Sequence, residues 1–106
     1  MYIPPVYILG SVLDQVQGFE WDAANVGYIQ RHGVSPFEVE EVVGRPHFMI
    51  PAKTVHGESR WSLFGRTASG RCLVVVFTLR QTLFRTVTAY EMNGMESRKY
   101  GPQIDG

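Results

Sequence analysis

Arginine and histidine are the residues of this chain with the most chemistry to offer. Arg60 and Arg85 fall within segments rich in β-branched and aromatic residues, and Arg80 falls in the polar break Arg80, Gln81, Thr82 that reads as a connecting loop. Held on such a frame, a guanidinium fork suits the paired oxygens of a phosphate. Proton transfer needs a partner that titrates near neutral pH, which histidine does. His32 is one candidate, although with Arg31 it stands just before Gly33, where a cation is favoured at the negative end of a helix. His56, Gly57 and Glu58 form a second group, in which His56 and Glu58 could share a proton from a loop. Tyr90 offers a phenol that donates a hydrogen bond without carrying charge. Trp61 could stack on a base, but its alternation with Leu63 favours core packing.

Metal and cofactor chemistry find no support in the spacing. His32, His47, His56 and Cys72 are scattered, with neither an HxxxH nor a CxxC pattern. A nucleophile elbow, a P-loop and a dinucleotide fingerprint are absent too. No cofactor and no metal are expected.

The segment that must position these residues is Arg71 to Tyr90, RCLVVVFTLRQTLFRTVTAY. Cys72, Val74 and Val76 alternate with Leu73, Val75, Phe77 and Leu79, so both faces of the first strand are apolar and it belongs inside a sheet. Leu83 to Tyr90 returns as its hairpin partner. Before it, Phe48 to Val55 reads as an edge strand marked by Pro51, and Ser59 to Arg66 as a strand with Trp61 and Leu63 on one side and Arg60, Ser62, Phe64 and Arg66 on the other. Asp22 can cap a helix from Ala23 to about Arg31, closed by Gly33. Ser35, Pro36 and Glu38 form a capping box with proline at the first helical position, which predicts a second helix to about Val43. Asn93 and Glu96 repeat the signature for a short last helix ending at Tyr100. The expected fold is α+β: an antiparallel four-stranded sheet, two N-terminal helices packed on one face, and a short C-terminal helix. Residues 1–17 read as an N-terminal extension, 18–101 as the domain and 102–106 as a disordered tail.

The chain of 106 residues suits a single domain, and 44% hydrophobic with 19% charged residues excludes a disordered one. Ten basic residues balance ten acidic ones, so the net charge does not advertise nucleic-acid binding. The acidic residues crowd between Asp14 and Glu41 while the arginines gather later, which predicts a two-sided molecule. The lone Cys72 cannot form an internal disulfide and reads as a small buried hydrophobe in a reducing compartment. The apolar run Val6 to Leu13 lacks a basic flank and is too short for a membrane span, so a cytoplasmic location is expected.

Six ordered stretches carry a resemblance: FEWD at Phe19 to Asp22, RHGVS at Arg31 to Ser35, GESRW at Gly57 to Trp61, GRCLVVVFT at Gly70 to Thr78, RTVTAYEM at Arg85 to Met92, and ESRKY at Glu96 to Tyr100. Together they make the chain similar to the BrnT family of type II toxins, which share a RelE-like fold. The resemblance implies an endoribonuclease that blocks translation, with RNA as substrate and a ribbon-helix-helix antitoxin of the BrnA type as partner, in a homo-oligomer or a heterotetramer with that antitoxin. RNA cleavage without a metal needs a base, an acid and cations around the phosphate. On this reading Arg60 and Arg85 with His32, Glu58 and His56 carry the chemistry, and Arg31, Arg80, Tyr90 and Trp61 hold the substrate. The alternative is a degenerate member that keeps antitoxin or oligomer binding without cleavage, to which the neutral charge, Tyr90 and the extension point. The catalytic reading requires the guanidinium groups to converge on one pocket rather than be dispersed or each neutralised by a carboxylate.

Overall fold

A computed structural model describes residues 12–104 of the chain. In chain order they form β1 (Gly18–Phe19), α1 (Ala23–Gln30), α2 (Pro36–Val43), β2 (His47–Val55), β3 (Glu58–Arg66), β4 (Cys72–Arg80), β5 (Leu83–Glu91) and α3 (Gly94–Ile104), preceded by a helical stretch at residues 12–14. Most of the expected extension, residues 1–11, lies outside the described residues.

The local signals produce the helices they announce. Asp22 accepts from the Asn25 N–H, and the Asn25 side chain accepts from the Asp22 N–H in return, so α1 starts in a capping box. Ser35 and Glu38 do the same for α2, and Val34 and Val39 at the staple positions are both buried. Asn93 and Glu96 exchange the equivalent bonds at the start of α3.

The sheet has five strands in the order β1-β5-β4-β3-β2, one more than the four expected, and it is mixed. The short piece containing Phe19 pairs in parallel with β5 through Gly18↔Leu83 and Phe19↔Phe84. Two residues are too few for a strand pattern to show. What recruits them is packing, since the Phe19 ring lies 5.2 Å from that of Phe84. Beyond this short pairing α1 packs against β5, and the buried Asn25 amide donates to the carbonyls of Glu20 and Thr86.

The two N-terminal helices pack on one face of the sheet, as expected, and the C-terminal helix covers the other. Leu63, Leu73, Val75, Phe77, Phe84 and Ala89 point to the larger core with Ile29 of α1 and Val39 and Val42 of α2. Gly65 lies so close to α2 that a Cβ on it would meet the Val42 Cβ at 3.0 Å. On the opposite face α3 covers a smaller core of Phe64, Val74, Met92 and Ile104. It runs to Ile104, past the end expected at Tyr100 and into the stretch expected to be disordered. Tyr100 stacks on Phe64 at 4.0 Å and Ile104 is buried, which offsets the hydrogen bond that Pro102 cannot make. Residues 105 and 106 lie outside the described residues.

Charge segregated along the sequence is used in contacts between its two halves. Arg71 donates to Glu38 at 2.9 and 3.0 Å and to the Gly33 carbonyl at 2.8 Å, and Arg85 meets Glu20 and Asp22. These pairings stand against the expected two-sided molecule. Cys72 is half-buried rather than buried, and its sulfur accepts from Arg66.

One irregularity decides which side chains share a face. Val76 pairs with Thr88 and Phe77 with Thr86, so Val87 is an extra residue, a β-bulge in β5. Before the bulge Phe84 faces the larger core and Arg85 the other side; after it Ala89 faces the core and Tyr90 the other side. Residues 85 and 90 differ in parity, and only the bulge lets them share a face. Beside it the Thr86 hydroxyl oxygen is buried and finds no hydrogen-bond partner among the described residues. Thr86→Val removes that unpaired group, so it is expected to stabilise the protein by about 1 kcal/mol. A melting temperature unchanged or lowered in the variant would show that the hydroxyl is satisfied.

Candidate active site

On the face opposite the larger core, between the far ends of β3, β4 and β5 and the helix α1, lies an open cavity of about 290 Å³. Its lining includes Glu58 and Arg60 from β3, Thr78 and Arg80 from β4, and Arg85 with Thr86 from β5. Ala24, Asn25 and Tyr28 of α1 close one side. Strand register explains the convergence. Arg60 follows Phe64 at even spacing on β3, Thr78 follows Val74 on β4, and Arg85 is the registered partner of Thr78. Arg80 ends β4 instead of lying in the loop, which shrinks to Gln81 and Thr82, with Gln81 at a positive φ of 58°.

The three arginines are gathered, and each also meets a carboxylate. Arg85 Nη1 donates to Asp22 Oδ2 at 2.8 Å and to Glu20 Oε1 at 3.1 Å. Arg80 Nη1 donates to Glu20 Oε1 at 3.4 Å, and its Nε lies 3.9 Å from Glu58 Oε2. Arg60 Nε donates to Glu58 Oε1 at 3.4 Å. The hydrogen bond from Arg85 holds the Asp22 carboxyl below its usual range, and the bond to Asp22 raises Arg85 in turn. Both therefore stay charged at neutral pH. Glu20 and Asp22 stand outside the lining, so the wall itself presents three guanidinium groups and one carboxylate. Among the described residues Arg85 uses only Nη1 and Arg60 only Nε in these pairs, and a guanidinium carries further donors. The arrangement can hold a phosphate group with a carboxylate beside it, and its volume suits a nucleotide-sized fragment.

The other anticipated residues are distributed around this cavity. His32 and Tyr90 meet edge to face with centroids 6.5 Å apart, and His32 lies 5.9 Å from the Tyr28 ring, which lines the cavity. Arg31 caps α1 and places its guanidinium 5.9 Å from the same Tyr28 ring. Tyr90 donates to Glu96 at 3.3 Å; burial first, then that carboxylate, raises its pKa, so the phenol stays neutral. His56 is apart from the cavity lining. With Gly57 it makes the two-residue turn between Val55 and Glu58, both at positive φ (50° and 76°), the geometry of a tight hairpin. Trp61 does not join the site. It alternates with Arg60, faces the larger core and stacks on Phe77 at 5.6 Å.

Glu20, Asp22, Asn25, Tyr28 and Thr78 belong to the site without having been anticipated there. Glu20 does carry a signal, since it alternates with Phe19 and Trp21 and so must face away from their core. Thr78 is buried and donates to the Ser59 carbonyl at 2.7 Å, tying β4 to β3 behind the cavity. Among the described residues no three His, Cys, Asp or Glu side chains are grouped so as to hold a metal ion, and no helix is long and apolar enough to cross a membrane.

Comparison with curated proteins returns no match. A protein-family model described as the ribonuclease toxin BrnT of type II toxin–antitoxin systems matches residues 21–96, from just before α1 into α3 and including every arginine of the cavity. A match over that much of the chain, with the whole cavity lining inside it, means that this protein belongs to the BrnT family of ribonuclease toxins of type II toxin–antitoxin systems.

Proposed function

We propose that the protein is an endoribonuclease that cleaves mRNA without a metal and so inhibits translation in the cytoplasm, until a ribbon-helix-helix antitoxin binds and silences it. The observation that carries this reading is the convergence of Arg60, Arg80 and Arg85 on one cavity that also contains Glu58. In the proposed step the 2′-hydroxyl oxygen of the substrate bonds to the adjacent phosphorus as its proton passes to the Glu58 carboxylate. The bond from phosphorus to the 5′-oxygen breaks, and that oxygen takes a proton from His32, which lies between Tyr28 and Tyr90 beside the cavity. The products are a 2′,3′-cyclic phosphate and a 5′-hydroxyl. Charge builds on the phosphate oxygens midway, where the arginine donors stabilise it. Arg31 and Tyr90 border the path of the flanking chain, and His56, in the turn two residues before Glu58, is a second proton-transfer group.

A non-catalytic binding module is the second reading, and a specific observation favours it: the guanidinium groups converge as catalysis requires, but Glu20, Asp22 and Glu58 already pair with all three, against the second half of that requirement. Purified protein incubated with message in the presence of EDTA separates the two. Fragments ending in 2′,3′-cyclic phosphate are the expected result. Intact message, together with capture of a ribbon-helix-helix peptide, would establish the binding module instead.

A further inference from the structure

Tyr28 is an exposed aromatic side chain, 49% accessible, and among the described residues the one aromatic lining a cavity that also holds Arg60, Arg80 and Arg85. Ala24, Tyr28 and His32 recur every four residues and so form one row along and just past α1. Side chains on a helix lean toward its N-terminus, which carries the Tyr28 ring back over the small Ala24 and toward the arginines. Arg31 and His32, from the end of the helix, each lie 5.9 Å from the ring. An exposed amphipathic ring in the same cavity as a cluster of guanidinium groups is the arrangement by which single-stranded nucleic acid is held, base on ring and phosphate on guanidinium.

We infer that Tyr28 is the stacking platform for the base next to the phosphate bound by Arg60 and Arg85, which makes unpaired RNA the substrate class. This rests on the ribonuclease reading. Duplex RNA keeps its bases stacked within the helix and cannot offer one to this ring.

The test uses the full chain and a 2′-O-methyl oligoribonucleotide containing 2-aminopurine, which can bind but has no 2′-hydroxyl to cleave. Wild-type protein is expected to bind it and to change the 2-aminopurine fluorescence through stacking. Tyr28→Phe keeps the ring and should bind within about twofold of wild type, whereas Tyr28→Ala should bind about tenfold more weakly and lose the fluorescence change. Arg85→Ala should instead reduce the dependence of affinity on salt. Equal binding by Tyr28→Ala and wild type, with Arg85→Ala impaired, would overturn the stacking role and leave the ribonuclease reading standing. Equal weakening by Tyr28→Phe and Tyr28→Ala would assign the effect to the hydroxyl and also overturn it. Wild-type protein that neither binds this probe nor cleaves unmodified RNA would remove the underlying reading and the platform with it. Tyr28 is exposed, so unchanged thermal melts are expected for both of its variants.

Discussion

Arg85→Ala is expected to lower RNA cleavage by at least about 100-fold while leaving the protein folded, because it removes a preorganised donor aimed at the phosphate where negative charge develops. Two features make Arg85 the most consequential of the three arginines. Its side chain is only 15% exposed, and two carboxylates, Asp22 and Glu20, hold it from behind. Arg80, at 54% exposure, is held more loosely. The fold should survive the change. Asp22 keeps its cap on α1 through the Asn25 N–H, and pairs whose acidic partners are 32% and 50% exposed contribute little because solvent screens them. Arg85→Lys should recover part of the activity, since a point charge replaces the fork. In cells that express the protein, Arg85→Ala should relieve growth arrest. Cleavage by Arg85→Ala at the wild-type rate would place the reaction elsewhere.

Phe84→Ala should cost about 3–5 kcal/mol, a large part of the stability of a domain this size. Phe84 is fully buried, stacks on Phe77 at 4.1 Å and meets Phe19 at 5.2 Å, so its ring joins β1, β4 and β5. Truncation would leave a cavity where three strands meet, beside a β1 that is only two residues long. The midpoint of urea denaturation measures the loss. Phe37→Ala is the control, since that ring is 73% exposed and its removal should change stability by less than about 0.5 kcal/mol. A loss below about 1 kcal/mol in Phe84→Ala would mean that the three-strand junction repacks. Arg85 is the next residue along, so any remaining activity in Phe84→Ala should fall with the folded fraction.

Signals that act over three or four residues are legible in the chain itself. The caps Asp22, Ser35 with Glu38, and Asn93 with Glu96 each start the helix they announce, because the bonds join neighbours in the chain. Alternation likewise separates Trp61 and Leu63 from Arg60 and Phe64, and Pro51 marks the edge strand β2. The same rule counts against Trp61 as a substrate contact, since a residue next to Arg60 on a strand must face the other way. The pairing of α2 with one face and α3 with the other is not legible in this way. Both helices carry an apolar stripe, and a stripe does not say which sheet face it covers.

What the sequence by itself determined is where the capped helices start, how the long strands alternate, and the presence of arginines on a β frame. What only the tertiary structure decided is which of those arginines meet, and what meets them. Glu20 and Asp22 lie 65 and 63 residues before Arg85 in the chain, and no local pattern links them. The extra Val87 changes the phase of β5 so that Arg85 and Tyr90 point to the same side, a shift set by pairing with β4. Propensity depends on near neighbours, whereas strand register and ion pairing depend on where the whole chain returns.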